Sequence, residues 1–290
     1  MSSAKLTIDN QSLDLPIITG SENEKAIDIS KLTADDLSNT AVLALSHVDY
    51  KTGTLRDMPG ITALAQEAGA LVVWDASHAV GAIELNLDAN GVDLCVGCTY
   101  KYGNSGPGSP AWLYVSKRVQ KELQVPIQGW FAQDAQFEMG PVFERSQTIR
   151  GFQIASPSLM GIRCVQSAFS MIKEAGIDAI AHKAAVGTQM MIELYDEWLA
   201  PLGIELNTSR DPKERGGHIS LVHPDAAQIC VALRTISNVI PDYRTPNSIR
   251  LAISPLPTSY VEVWDGFARM RDLVASGRYK EVQEGGSRVT

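Results

Sequence analysis

The sequence predicts an α/β domain with a mainly parallel sheet over residues 1–175, followed by a smaller α+β domain over 176–290. Three observations lead there. Short runs that are apolar at nearly every position recur in the first half, each bounded by polar residues, as strands covered on both faces require. A helix-period stripe separates the first two runs, which is the pattern of a layered α/β unit. Beyond residue 204 the runs shorten and alternate with helices, as in a separate α+β unit.

Residues 1–40 are polar and weakly patterned, and Ser21–Lys25 reads as an exposed loop. Ala41–Ser46 is the first run expected to be a fully buried strand. Ile61, Leu64, Ala65 and Ala68 fall at i, i+3, i+4 and i+7, so a helix is expected there, stopped by Gly69. Ala70–Asp75, Val92–Cys98 and Ala111–Val115 are the next strands. The link between the last two is short and glycine-rich, with no room for a crossover helix, which predicts one antiparallel pairing. Residues 116–155 read as loops with a turn at Gln128–Phe131. Ser158–Ala175 is a helix with Leu159, Ile162, Val165, Ala168, Phe169 and Ile172 on one stripe, ended by Gly176. A longer helix, Ile177–Leu199, follows and closes at Pro201 and Gly203. It is long enough to pack on both layers, which puts the domain boundary near Gly176. Strands at Ile204–Leu206, His218–Val222 and Ser248–Ile253 alternate with helices at Ala226–Ser237 and Ser259–Ala275.

The composition narrows the function. Of 290 residues, 44% are hydrophobic and 20% charged, with 25 Lys+Arg against 33 Asp+Glu and a net charge of −8. An acidic chain is poorly matched to nucleic acid or an anionic membrane surface. No apolar run approaches the ~20 residues that span a bilayer, and the N-terminus lacks the apolar core of a secretory signal. The four cysteines, Cys95, Cys98, Cys164 and Cys230, are too few for a disulfide scaffold in a chain this long. A cytoplasmic protein with reduced thiols is therefore expected.

Asp75 ends a buried strand, where open parallel sheets place their ligands, although a carboxylate there is also a common helix N-cap. Lys101, in Thr99-Tyr100-Lys101-Tyr102, follows the next strand and enters a loop rich in glycine and proline. A lysine desolvated at a strand end loses proton affinity and gains nucleophilicity; the competing reading is a surface lysine. The loop lacks the Gly-Lys-Ser/Thr of a phosphate-binding P-loop. Cys95 and Cys98 point to opposite faces of a strand and have no second ligand pair, so no metal site is expected. His218 and His223 likewise lack a metal-ligand partner at suitable spacing. His47 either faces the same cleft or is a solvated strand end. Asp75 and His78 with a serine would need a nucleophile elbow to form a hydrolase triad, and none is present. The combination of Asp75, His78 and Lys101 on successive strand ends is what a pyridoxal phosphate site needs: a carboxylate to keep the pyridine nitrogen protonated and a lysine to hold the aldehyde as a Schiff base.

At these residues the chain resembles the kynureninase family of pyridoxal phosphate enzymes, of the aspartate-aminotransferase fold (fold type I). The resemblance runs from about Ala41 to Val274. It is carried by Leu45-Ser-His-Val-Asp-Tyr50-Lys-Thr-Gly53, Val73-Trp-Asp-Ala-Ser-His78-Ala-Val-Gly81, Val96-Gly-Cys-Thr-Tyr-Lys101-Tyr102, Gly129-Trp-Phe131, and Ser248-Ile-Arg-Leu251 with Pro255-Leu256. It implies a type I large domain in residues 1–175 and the roles that follow. Lys101 carries the Schiff base and moves protons. Asp75 pairs with the pyridinium nitrogen, and His78 supports the ring. Ser46 and Tyr100 contact the cofactor, Tyr100 near its phosphate. Trp130 and Ser156 reach the phosphate of the neighbouring subunit's cofactor in a homodimer. Family members carry Asn or Thr at the place of Ser156, an altered contact. Arg250 clamps the substrate α-carboxylate.

The implied reaction converts L-kynurenine, or its 3-hydroxy form, to anthranilate or 3-hydroxyanthranilate and L-alanine, in tryptophan catabolism and NAD biosynthesis. Nothing in residues 1–40 matches the Thr-containing phosphate turn, the Phe-Pro-Ser/Thr-Asp segment or the substrate-contacting His that family members carry ahead of the strand at Ala41. The large domain therefore reads as N-terminally truncated, with a separate N-terminal segment as a candidate partner. The alternatives are a non-catalytic or partner-dependent protein, or another type I enzyme such as a cysteine desulfurase or aminotransferase.

Overall fold

Four of the apolar runs pair into one sheet. The computed structural model describes residues 39–282 together with Leu37 and three strand segments, 3–8, 11–19 and 25–27. Strands β4 (Val42–Ser46), β5 (Leu71–Asp75) and β6 (Leu94–Gly97) are parallel, and β7 (Trp112–Val115) runs antiparallel to β6, as its short link requires. The order is β4-β5-β6-β7. Register places Ser46 beside Asp75 and Asp75 beside Val96, so the chemistry-bearing strand ends are neighbours.

Ahead of this sheet, β1 (Ser3–Ile8), β2 (Gln11–Thr19) and β3 (Lys25–Ile27) form an antiparallel sheet in that order. The sequence reading of residues 1–40 as polar and weakly patterned did not foresee these strands. The period-2 signal in Leu13, Leu15 and Ile17 is interrupted by Pro16, which demotes a run as a strand. Of the expected loop, Lys25 opens β3, and Ser21–Glu24 lie outside the described residues.

The centre of the parallel sheet is dry: Val72 and Trp74 are fully buried. Helix α1 (Met58–Glu67) covers it, with Asp57 accepting from the Gly60 amide at its start and Trp74 Nε1 donating to Thr62 Oγ1 at 2.9 Å. β4 departs from expectation. It is an edge strand, and Val42 is 53% exposed rather than buried on both faces. The apolar stripe of α2 (Leu159–Ala175) is likewise open. Ser158 caps this helix and Gly176 ends it at φ 81°, yet only Gly161 and Ala168 are buried.

A second core lies beyond it. α3 (Ile177–Leu194) continues as a π turn over Tyr195–Leu199. The sheet order is β10-β11-β9-β8, all antiparallel, from β8 (Glu205–Leu206), β9 (His218–Val222), β10 (Asp242–Arg244) and β11 (Ser248–Ala252). Helices α4 (Ala226–Thr235) and α5 (Tyr260–Ala275) pack on it around Ile219, Leu221, Ile229, Ile249 and Met270. β10 was not expected from the sequence, because its Asp-Tyr-Arg carries no apolar run.

The loop after β4 ties the two cores together. Leu55 N donates to Glu214 O at 2.9 Å, Gly216 N to Gly53 O at 2.8 Å, and Lys51 Nζ to Thr245 O at 2.9 Å. Gly53 has φ 76°, and a Cβ there would sit 2.4 Å from the His218 carbonyl oxygen. Only glycine allows this approach, and the approach brings residues 47–53 over β9 and β11.

Candidate active site

Asp75 leaves the sheet at the end of β5, and its Oδ1 accepts from Ser77 N at 2.7 Å. The segment after it is a series of turns, so Asp75 caps a turn rather than a helix. Lys101, beyond β6, turns inward: its Nζ lies 3.1 Å from His78 Nε2 and is half-buried. Burial is the largest influence on the amine and lowers its proton affinity, as do the Arg250 and Arg244 cations, while Cys98 and Asp75 oppose the shift. That is the behaviour of a desolvated amine, not of a solvated surface lysine.

His78 is held neutral. Burial, then the Lys101, His218 and Arg250 charges, push its pKa down to about 3. A neutral ring can accept a hydrogen bond from the lysine ammonium. On the far side, Arg250 Nη1 stands 3.5 Å from His78 Nε2 and donates to the Tyr50 carbonyl, while Nη2 pairs with Asp242. Lys101, His78 and Arg250 therefore meet, although β11 belongs to the second core.

The other expected residues are placed unevenly. Ser46 is half-buried beside Asp75, and its carbonyl accepts from Arg56 at 2.8 Å. Tyr100 is 51% exposed, with its ring centroid 6.0 Å from Lys101 Nζ. Trp130 and Ser156 are exposed. The Trp130 ring packs edge-on against Phe131 at 4.6 Å, and among the described residues neither Trp130 nor Ser156 bonds to the Lys101 cluster. Cys95 is buried, its thiol pushed up to about 12 mainly by burial, and Cys98 Sγ lies 3.6 Å from the Ser77 carbonyl.

Sequence reasoning passed over two neighbours. His218, weighed only as a metal ligand, is 1% exposed with its ring centroid 5.6 Å from that of His78. Asp242 lies on the unforeseen β10. Its signal would have been the spacing to Arg250 across a tight antiparallel pair. His47 is not a solvated strand end: it is 6% exposed and packs edge-on against Trp74 at 5.9 Å.

These histidines make stability depend on pH. Folded His47 stays neutral down to about pH 4 and His78 and His218 to about 3, chiefly through burial, against an ordinary value of 6.5. Between those limits the unfolded chain binds more protons, so stability falls as pH drops below about 6.5. The urea midpoint at pH 5 should lie below that at pH 7.5, and His47→Gln should flatten part of the slope. A slope unchanged by that substitution would show that His47 is not held neutral.

The architecture is that of the fold type I pyridoxal phosphate enzymes. The chain superposes on the apo cysteine desulfurase of Thermococcus onnurineus NA1 with a TM-score of 0.71 at 18% identity, over 86% of this chain and 64% of that one. It superposes on a mutant of C-DES, with glycine covalently linked to its PLP cofactor, with a TM-score of 0.70 at 15% identity, over 84% and 66%. Residues 180–270 match the kynureninase C-terminal domain family. By sequence the chain is similar to kynureninases: it is 35% identical to the kynureninase of Pseudomonas fluorescens over 245 residues, 84% of this chain. It spans 59% of the length of that relative. No described helix is long and apolar enough to cross a membrane.

Proposed function

We propose that this chain binds pyridoxal 5′-phosphate and hydrolyses the Cβ–Cγ bond of L-kynurenine or 3-hydroxykynurenine, releasing anthranilate or 3-hydroxyanthranilate and L-alanine. The observation that carries the proposal is the meeting of Lys101, His78 and Arg250 in one half-buried side-chain cluster near the strand end bearing Asp75. The donor set suits the cofactor: a desolvated amine, a carboxylate, a neutral imidazole and a phenol, with buried His218 packed beside the imidazole. Bound there, the cofactor supplies an electron sink for charge developing at the substrate Cα.

The chain's own residues do the rest. Asp75, with Ser46 beside it, would hold the ring nitrogen, His78 the ring, and Tyr100 the phosphate. The Lys101 amine, its proton affinity lowered by burial, takes the proton from Cα and returns it. His78 accepts from Lys101 and steadies it between transfers. Arg250 binds the α-carboxylate and fixes Cα within reach of Lys101. We read residues 1–175 as the cofactor domain and 176–290 as the small domain, a division supported by the two separate cores. We also read the chain as a homodimer in which Trp130 and Ser156 serve the neighbouring subunit's cofactor. The exposure of both, and of apolar Phe137, Met139 and Leu159, supports that assembly.

The test is direct. Purified chain with added pyridoxal phosphate and L-kynurenine should generate anthranilate fluorescence. Cofactor binding with alanine formation from L-cysteine, sulfide appearing once a thiol reductant is added, and no anthranilate, would favour a desulfurase; absence of cofactor binding would favour the non-catalytic reading. Arg250→Lys keeps the charge but loses the planar fork. It should weaken amino-acid binding or turnover by about 1–3 kcal/mol, with cofactor binding nearly unchanged. A lowered melting temperature with intact kinetics would make Arg250 structural.

A further inference from the structure

The guanidinium of Arg250 is held from behind by a second arginine acting through a carboxylate. Asp242 stands directly across from Arg250 in the antiparallel register of β10 and β11. Its Oδ2 receives Arg250 Nη2 and, at 2.7 Å, Arg244 Nη2. All three side chains are withdrawn from water: Arg250 is 12% exposed, Arg244 14% and Asp242 22%. Two cations thus share one anion. A positive charge is left over in a poorly solvated place, and desolvated charge is costly unless matched. Lys101 does not supply the match, since it adds a further cation on the other side of His78. Asp49 is engaged by Thr52, Lys51 and Arg56.

We propose that Asp242, backed by Arg244, is the positioning residue of the Arg250 clamp, and that the trio selects ligands carrying one carboxylate. This rests on the reading of Arg250 as the carboxylate clamp. Asp242 engages Nη2 and the Tyr50 carbonyl engages Nη1. Each of these nitrogens carries two hydrogens, so Nη2 keeps a donor for a ligand, and the second hydrogen of Nη1 has only the long 3.5 Å approach to His78 Nε2 to give up. A long side chain fixed at both terminal nitrogens binds without first losing its rotamer freedom. The ligand's carboxylate supplies the missing negative charge.

The experiment compares L-alanine with ethylamine, the same amine without its carboxylate, titrated into cofactor-loaded protein and followed by cofactor absorbance. In Asp242→Asn, L-alanine affinity should fall about 10- to 100-fold, the scale of one charge-assisted hydrogen bond, while ethylamine affinity barely changes; the melting temperature should fall as well, because both arginines lose their counter-charge. Asp242→Glu should recover part of the loss. Equal losses for both ligands, or none, would overturn the proposal. Arg250→Ala tests the underlying reading separately. If it leaves the preference for L-alanine intact, the clamp lies elsewhere; if it abolishes the preference and Asp242→Asn does not, only the role of Asp242 fails. Should Asp242→Asn not fold, Arg244→Gln should give a smaller selective loss. In cofactor-free protein, phenylglyoxal should modify Arg250 several-fold faster in Asp242→Asn than in wild type, and an unchanged rate counts against positioning.

Discussion

If the proposed function holds, Lys101→Ala should lower turnover of L-kynurenine by about 10²–10⁴-fold or more, the range expected from loss of proton transfer alone. Lys101 Nζ is the amine that reaches His78 at 3.1 Å while burial reduces its hold on a proton. Removing it leaves Asp75, His78 and Arg250 in place, so the variant should retain fold and ligand affinity far better than rate. Borohydride reduction of wild type loaded with pyridoxal phosphate, followed by peptide mapping, should put the label on Lys101 and lose it in the variant. A label spread over surface lysines, equal in wild type and Lys101→Ala, would remove Lys101 from the mechanism. Exogenous small amines should restore part of the rate if proton transfer is the missing function.

The largest effect on stability is expected at Trp74. Its side chain is fully buried in the middle of the parallel sheet, and its Nε1 donates to Thr62 Oγ1 on α1 at 2.9 Å. Trp74→Ala should cost about 3–5 kcal/mol for the cavity, and about 1–3 kcal/mol more for leaving the buried Thr62 hydroxyl unpaired. A urea titration and a melting curve would measure it. Trp74→Phe, which keeps most of the volume, should recover the larger part. Because Asp75 is the next residue on β5, cofactor affinity should fall with stability in Trp74→Ala. A variant destabilised by less than about 1 kcal/mol would mean that neighbouring side chains collapse into the space.

Much of this arrangement was legible in local sequence. Buried parallel strands need apolar residues at consecutive positions, and β5 and β6 carry them. The glycine-rich link before β7 forced an antiparallel return, as found. Gly69 and Gly176 stopped their helices at φ 81°, where a side chain would be strained. The helix at α1 begins earlier than its apolar stripe, because Asp57 and Pro59 open the first turn and neither belongs to that stripe. The open faces of β4 and α2 could not be foreseen. Periodicity tells which side of an element is apolar and not whether a neighbour covers it.

In the candidate site, strand-end position and residue type were enough to single out Asp75, His78 and Lys101, and the family resemblance added Arg250. The structural roles of His218, Asp242 and Arg244 were not visible. A lone histidine or an Asp-Tyr-Arg triplet has no meaning until its spatial neighbours are known. By itself, the sequence determined where strands and helices form and which strand ends carry an amine and a carboxylate, because those properties depend on residues a few positions apart. Only the tertiary structure decided that Arg250 would face His78 and share Asp242 with Arg244. That meeting depends on Gly53 passing close over His218, and on charges far apart in the chain being desolvated together. Burial and Coulomb interaction act through space, and no local pattern encodes them.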